Sequence, residues 1–202
     1  MKLFTALSVV AGLGLALSSI PASAAINIVG NPGFETGTLG PWFQGNNFDG
    51  AGTDWSVTNA VTHSGSFAAT NIGNREIRQN FTATATSLIT DVSFWEQQST
   101  ASGLSAYTFY YSDNTTGQFT INPTNTWQQF DVTASLAAGK SLTGFSIYGR
   151  SGGTISYLDD VSILANPSGA VPEPSSTAAF TVGLLGLGAL SIFARRRRRS
   201  AN

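Results

Sequence analysis

Between Ser56 and Leu164 the chain is written in short runs rich in Val, Ile, Phe, Tyr, Trp and Thr. Each run is closed by turn-forming residues, and no stretch repeats with the 3.6-residue period of an amphipathic helix. Nine runs stand out: Ser56–Ala60, Phe67–Thr70, Glu76–Thr84, Leu88–Gln97, Ala106–Ser112, Gly117–Ile121, Trp127–Thr133, Leu142–Tyr148 and Ile155–Leu164. Asn31-Pro32-Gly33, His63-Ser64-Gly65, Asp113-Asn114 and Ser151-Gly152-Gly153 supply breaks, because Gly and Asn accept left-handed backbone and Pro removes a ladder donor. Runs of this kind pair antiparallel, and each then buries one face. Val92, Phe94 and Glu96 fall on one side of their run, and Ser93, Trp95 and Gln97 on the other. Phe145 and Ile147 likewise oppose Ser146, Tyr148 and Arg150. Strict alternation in the last run puts Tyr157, Asp159, Val161 and Ile163 on a common side. The expected fold is all-β, two packed antiparallel sheets, with no more helix than a short turn over Ala134–Gly139.

The ends of the chain obey other rules. Met1 and Lys2 precede an apolar stretch from Leu3 to about Leu17, broken by Ser18–Pro21 and followed by Ala22-Ser23-Ala24. That order predicts a secretory signal peptide over residues 1–24. The alternative is an uncleaved anchor, which the shortness of the stretch argues against. Ala178–Ala194 is an apolar run interrupted only by Thr181 and Ser191, and Arg195, Arg196, Arg197, Arg198 and Arg199 follow it directly. At ~1.5 Å per residue the run spans about 26 Å, close to the ~30 Å of a bilayer core. The arginines act as a stop-transfer block and keep residues 195–202 cytoplasmic. The predicted divisions are a domain over 25–165, an extended linker over 166–176 and a transmembrane helix over 177–194.

The formal net charge of −1 conceals an asymmetry. Inside the domain stand Arg75, Arg78, Lys140 and Arg150 against Glu35, Asp49, Asp54, Glu76, Asp91, Glu96, Asp113, Asp131, Asp159 and Asp160, a balance of about −6. This excludes a nucleic-acid partner bound through its phosphates. With no cysteine, the domain has no disulfide, thiolate metal site or thiol nucleophile, and its core must hold it. His63, the lone histidine, sits in a turn and makes no Ser-His-Asp arrangement.

Two resemblances follow from particular residues. Val171-Pro172-Glu173-Pro174, the Gly- and Leu-rich run and the arginine cluster together resemble the PEP-CTERM sorting signal of Gram-negative bacteria. The resemblance implies an exosortase partner and cleavage near Pro172, Glu173 and Pro174. It also implies an inner-membrane intermediate held by the C-terminal helix, then a cell-surface or matrix destination associated with exopolysaccharide or biofilm. The domain resembles the galactose-binding-like jelly rolls of carbohydrate-binding modules, through Asn31-Pro32-Gly33-Phe34-Glu35 with Gly37 and Trp42, His63-Ser64-Gly65-Ser66-Phe67, Ile77–Phe81, Trp127-Gln128-Gln129-Phe130 and Tyr157-Leu158-Asp159-Asp160-Val161.

The second resemblance implies a jelly-roll β-sandwich with a structural Ca²⁺ beside its first and last strands. The ligand candidates are Glu35 and one of Asp159 or Asp160, with backbone carbonyls near Ser64 and Gly65. For a glycan, aromatic residues beside polar ones are the chemistry to seek, since a flat ring stacks on a pyranose. Trp95 with Gln97, and Tyr148 with Arg150, form such pairs, and Tyr110, Tyr111 and Trp55 could add to them. The leading expectation is a non-enzymatic exported surface or matrix protein. The alternative is a lectin-like module with a defined glycan ligand. A small glycan-active hydrolase, which needs paired carboxylates, stands third.

Overall fold

The computed structural model describes residues 24–47, 54–100, 104–149 and 154–167. The predicted signal peptide, Pro-Glu-Pro motif, membrane helix and arginine block lie outside them, as does Arg150. Eleven strands occur among the described residues: β1 (Ile26–Asn27), β2 (Phe43–Asn47), β3 (Ser56–Thr58), β4 (Ala68–Ile72), β5 (Arg75–Ala85), β6 (Ile89–Gln98), β7 (Ser105–Tyr111), β8 (Thr116–Ile121), β9 (Gln128–Asp131), β10 (Ser141–Tyr148) and β11 (Ile155–Ala165). They form two antiparallel sheets. One runs β3-β4-β11-β6-β9, with β1 also on β11; the other runs β2-β5-β10-β7-β8. The expected all-β sandwich is the observed one. Short 3-10 turns at Thr86–Leu88 and Thr133–Ser135 are the helical elements among the described residues.

Alternation builds the core. Ile77, Phe109, Phe145 and Ile147 point inward from the five-stranded sheet, and Val92, Phe94, Leu158, Val161 and Ile163 from its partner, all buried. The Phe94 and Phe145 rings meet across the gap at 5.8 Å, and Phe145 reaches Phe109 at 5.6 Å. Each such ring or aliphatic chain removed from water contributes about 1.5–3 kcal/mol, which is how a chain without disulfides closes. Trp55, a candidate for the surface, belongs here instead: it is 2 % exposed and its Nε1 donates to the Arg75 carbonyl at 2.8 Å. Tyr111, at 4 %, also faces the core.

Two strands escape the sequence pattern. β1 has two residues, and β2 reads Phe-Gln-Gly-Asn-Asn, rich in residues that strands disfavour. β2 survives as an edge strand on β5. The last strand also departs from strict alternation. A register shift between Asp159 and Ser162, with Asp160 at φ 47°, inserts a bulge. Ser156 and Leu158 face inward before it and Val161 and Ile163 after it, so Tyr157 and Val161 do not share a side.

Candidate functional site

The outward positions of the five-stranded sheet carry a connected polar and aromatic arrangement. Register sets Phe43, Arg78, Ser146, Thr108 and Gln118 in one row across all five strands. Glu76 and Tyr148 pair in the row on one side, and Asn80, Gly144 and Tyr110 lie on the other. The Tyr110 side chain reaches diagonally over Ser146. Its hydroxyl donates to Glu76 Oε1 at 2.5 Å and lies 3.3 Å from the Tyr148 hydroxyl, while Ser146 Oγ donates to it at 3.4 Å. Ser146 is thereby fully buried although it points away from the core. Burial, and then the Glu76 carboxylate, push the Tyr110 phenol well above its ordinary pKa, so it stays a donor.

Glu76 is placed by the backbone of β2. Its Oε2 accepts from the Asn46 N–H at 3.1 Å, and a Cβ at position 45 would stand 2.1 Å from that oxygen. Gly45 is what lets the edge strand close over a carboxylate that is 3 % exposed. Both Glu76 oxygens are spent internally. Arg78 is different. Its guanidinium lies 3.5 Å from the centre of the Tyr110 ring and 5.9 Å from that of Phe43, with Nε donating to Asn80 Oδ1 at 2.8 Å. The ion pairs among the described residues join His63 to Asp160, Arg75 to Asp54 and Lys140 to Asp113, and leave Arg78 without a carboxylate. Phe43 is 42 % exposed, and the Thr108 Oγ1 is buried without a hydrogen-bond partner.

The predicted aromatic–polar pairs do not converge. Tyr148 belongs to this face. Trp95 and Gln97 lie on the outer face of the other sheet, where the imidazole of His63 stacks on the Trp95 ring at 3.7 Å and Gln97 donates to the Asn125 carbonyl at 2.9 Å. Phe43, Glu76, Arg78 and Thr108 were not singled out from the sequence. The inward Ile77 and Gln79 of β5 imply an outward Glu76, Arg78 and Asn80, so that strand's own alternation was the signal available.

The candidate calcium ligands are brought together, and each is already engaged. Glu35 accepts the N–H groups of Ser66 and Phe67, and Asp159 those of His63, Ser64 and Asp160. Asp160 accepts from Ser64 Oγ at 2.8 Å and pairs with His63 Nδ1 at 2.7 Å. The loop at 63–67 turns its N–H groups toward these carboxylates, where a cation needs the carbonyls expected near Ser64 and Gly65. Among the described residues no group of three His, Asp or Glu is arranged to hold a metal ion. The arrangement engages each candidate carboxylate with protein donors. It is a hydrogen-bonded clasp from the loop before β4 to the bulge of β11 and to Glu35. Burial raises the pKa of Asp159, and the three N–H donors oppose that rise.

The two packed antiparallel sheets define the chain's class as a jelly-roll β-sandwich, and solved structures share that fold. TmCBM61, determined with β-1,4-galactotriose, superposes with a TM-score of 0.50 at 21% identity, over 69% of this chain and 99% of that one. The CBM22-1 xylan-binding domain of Xyn10C from Paenibacillus barcinonensis gives 0.51 at 15%, over 73% and 99%. The enzymatically active domain of tailspike protein 4 from bacteriophage CBA120 gives 0.54 at 15%, over 68% of this chain but 21% of that one. At these identities the likeness is one of fold. The particular signature lies at the C-terminus: residues 170–199 match the PEP-CTERM protein-sorting motif. No curated protein matches the sequence.

Proposed function

We propose that the chain is a non-catalytic glycan-binding protein, exported and sorted by an exosortase, whose outer β2-β5-β10-β7-β8 face is the sugar platform. The row Phe43–Arg78–Ser146–Thr108–Gln118 carries the reading. It joins an exposed ring for stacking on a pyranose to a tethered cation, a combination that can orient a sugar. Glu76 is the one carboxylate on that face among the described residues, and both its oxygens are engaged, which supports binding over glycosidic chemistry with its two carboxyl groups. The sorting motif supports release at the cell surface, where exopolysaccharide of the producing cell or biofilm is the ligand at hand.

The test is affinity electrophoresis of residues 25–167 through gels containing galactan, xylan, uronic-acid polymers and the producing strain's own exopolysaccharide. Retardation by at least one polymer, lost in Phe43→Ala with the fold intact by circular dichroism, is the expected result. Migration unchanged in every gel overturns the glycan reading. For the sorting half, the protein shortens and leaves the inner membrane only in cells with an exosortase; unaltered size and location after its deletion refutes that half.

A further inference from the structure

We infer that the glycan recognised on this face is acidic, and that Arg78 receives a sugar carboxylate. The inference rests on the glycan reading above and names the class of sugar. Three observations carry it.

The first is charge. Among the described residues of the face, Glu76 and Arg78 are the charged side chains. Glu76 is buried beneath β2 with an oxygen on the Tyr110 hydroxyl and an oxygen on the Asn46 N–H, so it offers nothing outward. Arg78 is half-buried, and its guanidinium is the charge that a ligand meets there. In a domain of about −6 this is a local exception, not a general basic surface.

The second is geometry. The Arg78 guanidinium lies over the Tyr110 ring and is tethered through Nε to Asn80, so its position is held from two sides. The two Nη groups remain, with no ion-pair partner among the described residues. A fixed guanidinium with a free edge matches the two oxygens of a carboxylate, and because the fork is already oriented little side-chain freedom is lost on binding.

The third is the neighbourhood. Phe43, beside Arg78 in the row, offers an exposed ring. A pyranose stacked on Phe43 with its carboxylate toward Arg78 engages both groups. A uronic acid has that pattern; a simple carboxylate polyanion without a sugar lacks the stacking ring.

The experiment uses residues 25–167, which lie within the compact unit Ser23–Gly169 that carries its own core. Polygalacturonate and alginate are titrated by calorimetry before and after chemical reduction of their carboxylates to alcohols, with polyglutamate as a carboxylate polymer without sugar. The expected result is binding to at least one uronate polymer, weakened on the order of ten- to a hundred-fold by carboxyl reduction and by Arg78→Gln. Arg78→Lys, which keeps the charge and loses the fork, falls between, and Phe43→Ala abolishes binding. Equal affinity for native and reduced polymer, with Arg78→Gln silent, overturns the acidic-sugar inference and leaves the glycan reading standing. Equal affinity for polyglutamate overturns it as simple ion attraction. No binding to any polysaccharide, the native matrix included, overturns both.

Discussion

Glu96 is the group whose titration the whole domain should report. It sits on the inward side of β6, fully buried between the sheets. Ser105 Oγ donates to its Oε1 at 2.5 Å and accepts from Gln98 Nε2 at 2.8 Å. Its other oxygen, Oε2, and Gln98 Oε1 are both buried without partners, so the cluster has acceptors to spare and lacks a donor. A proton on Glu96 supplies one. Burial accordingly pushes its pKa up to about 8 from 4.5, against the opposing hydrogen bonds from Ser105 and Gln98. The folded pKa lies above the unfolded one, so the stability is complete below about pH 4.5 and is lost as pH rises through 8. The slope is about −1.4 kcal/mol per pH unit, roughly 3 kcal/mol by pH 7 and about 5 kcal/mol above pH 8, against a total of about 5–15 kcal/mol for a domain. Glu96→Gln keeps the shape, cannot ionise, and offers an amide N–H to the unpartnered Gln98 oxygen. Urea unfolding of residues 25–167, followed by tryptophan fluorescence at several pH values from 4.5 to 9, gives the difference between variant and parent. Groups common to both, such as the raised Asp159, cancel in that difference. It should be small at the acid end, grow in favour of the variant through neutral pH and level off above pH 8. A difference that stays flat across the range refutes the account of Glu96 as a buried neutral acid.

Two further outcomes follow from the clasp at residues 63–67. Gly65→Ala should lower stability by about 1–3 kcal/mol, read as a fall in melting temperature, because Gly65 holds φ +59° and a Cβ there would stand 2.3 Å from Glu35 Oε1. Melting should be unmoved by chelator and by millimolar calcium, since N–H groups already occupy the carboxylates; a rise in melting temperature with calcium would show that the loop exchanges those donors for a metal.

The fold was legible because its strands are one-sided. Val92 with Phe94, and Phe145 with Ile147, alternate with polar neighbours, and period two has one structural meaning over runs this short. Legibility failed where geometry overrides the period. At the bulge of β11 an extra residue lets Leu158 and Val161 both face inward, and the left-handed backbone that permits it falls on Asp160, not on a glycine that would have marked it. β2 failed differently: Gly45 and Asn46 weaken it as a strand, yet their backbone is what covers and binds Glu76.

The site was less legible than the fold for a related reason. A sheet face is a product of register, and register joins residues far apart in sequence. Phe43, Arg78, Ser146, Thr108 and Gln118 come from five separate runs, and none is unusual within its own. The sequence offered Trp95 and Trp55 for stacking, and the structure sends Trp55 to the core and stacks Trp95 on His63. Among the described members of the predicted pairs, Tyr148 reaches the face, where its hydroxyl approaches that of Tyr110. What distinguishes the face is the difference between its two charges. Glu76 is satisfied from within, so it holds Tyr110 in place; Arg78 is held in place by Tyr110 and Asn80 and left unsatisfied. On the acidic-sugar reading, a carboxylate that organises and a cation that waits give selectivity inside a negative domain, because the wider field repels any polyanion that cannot reach Arg78 in register.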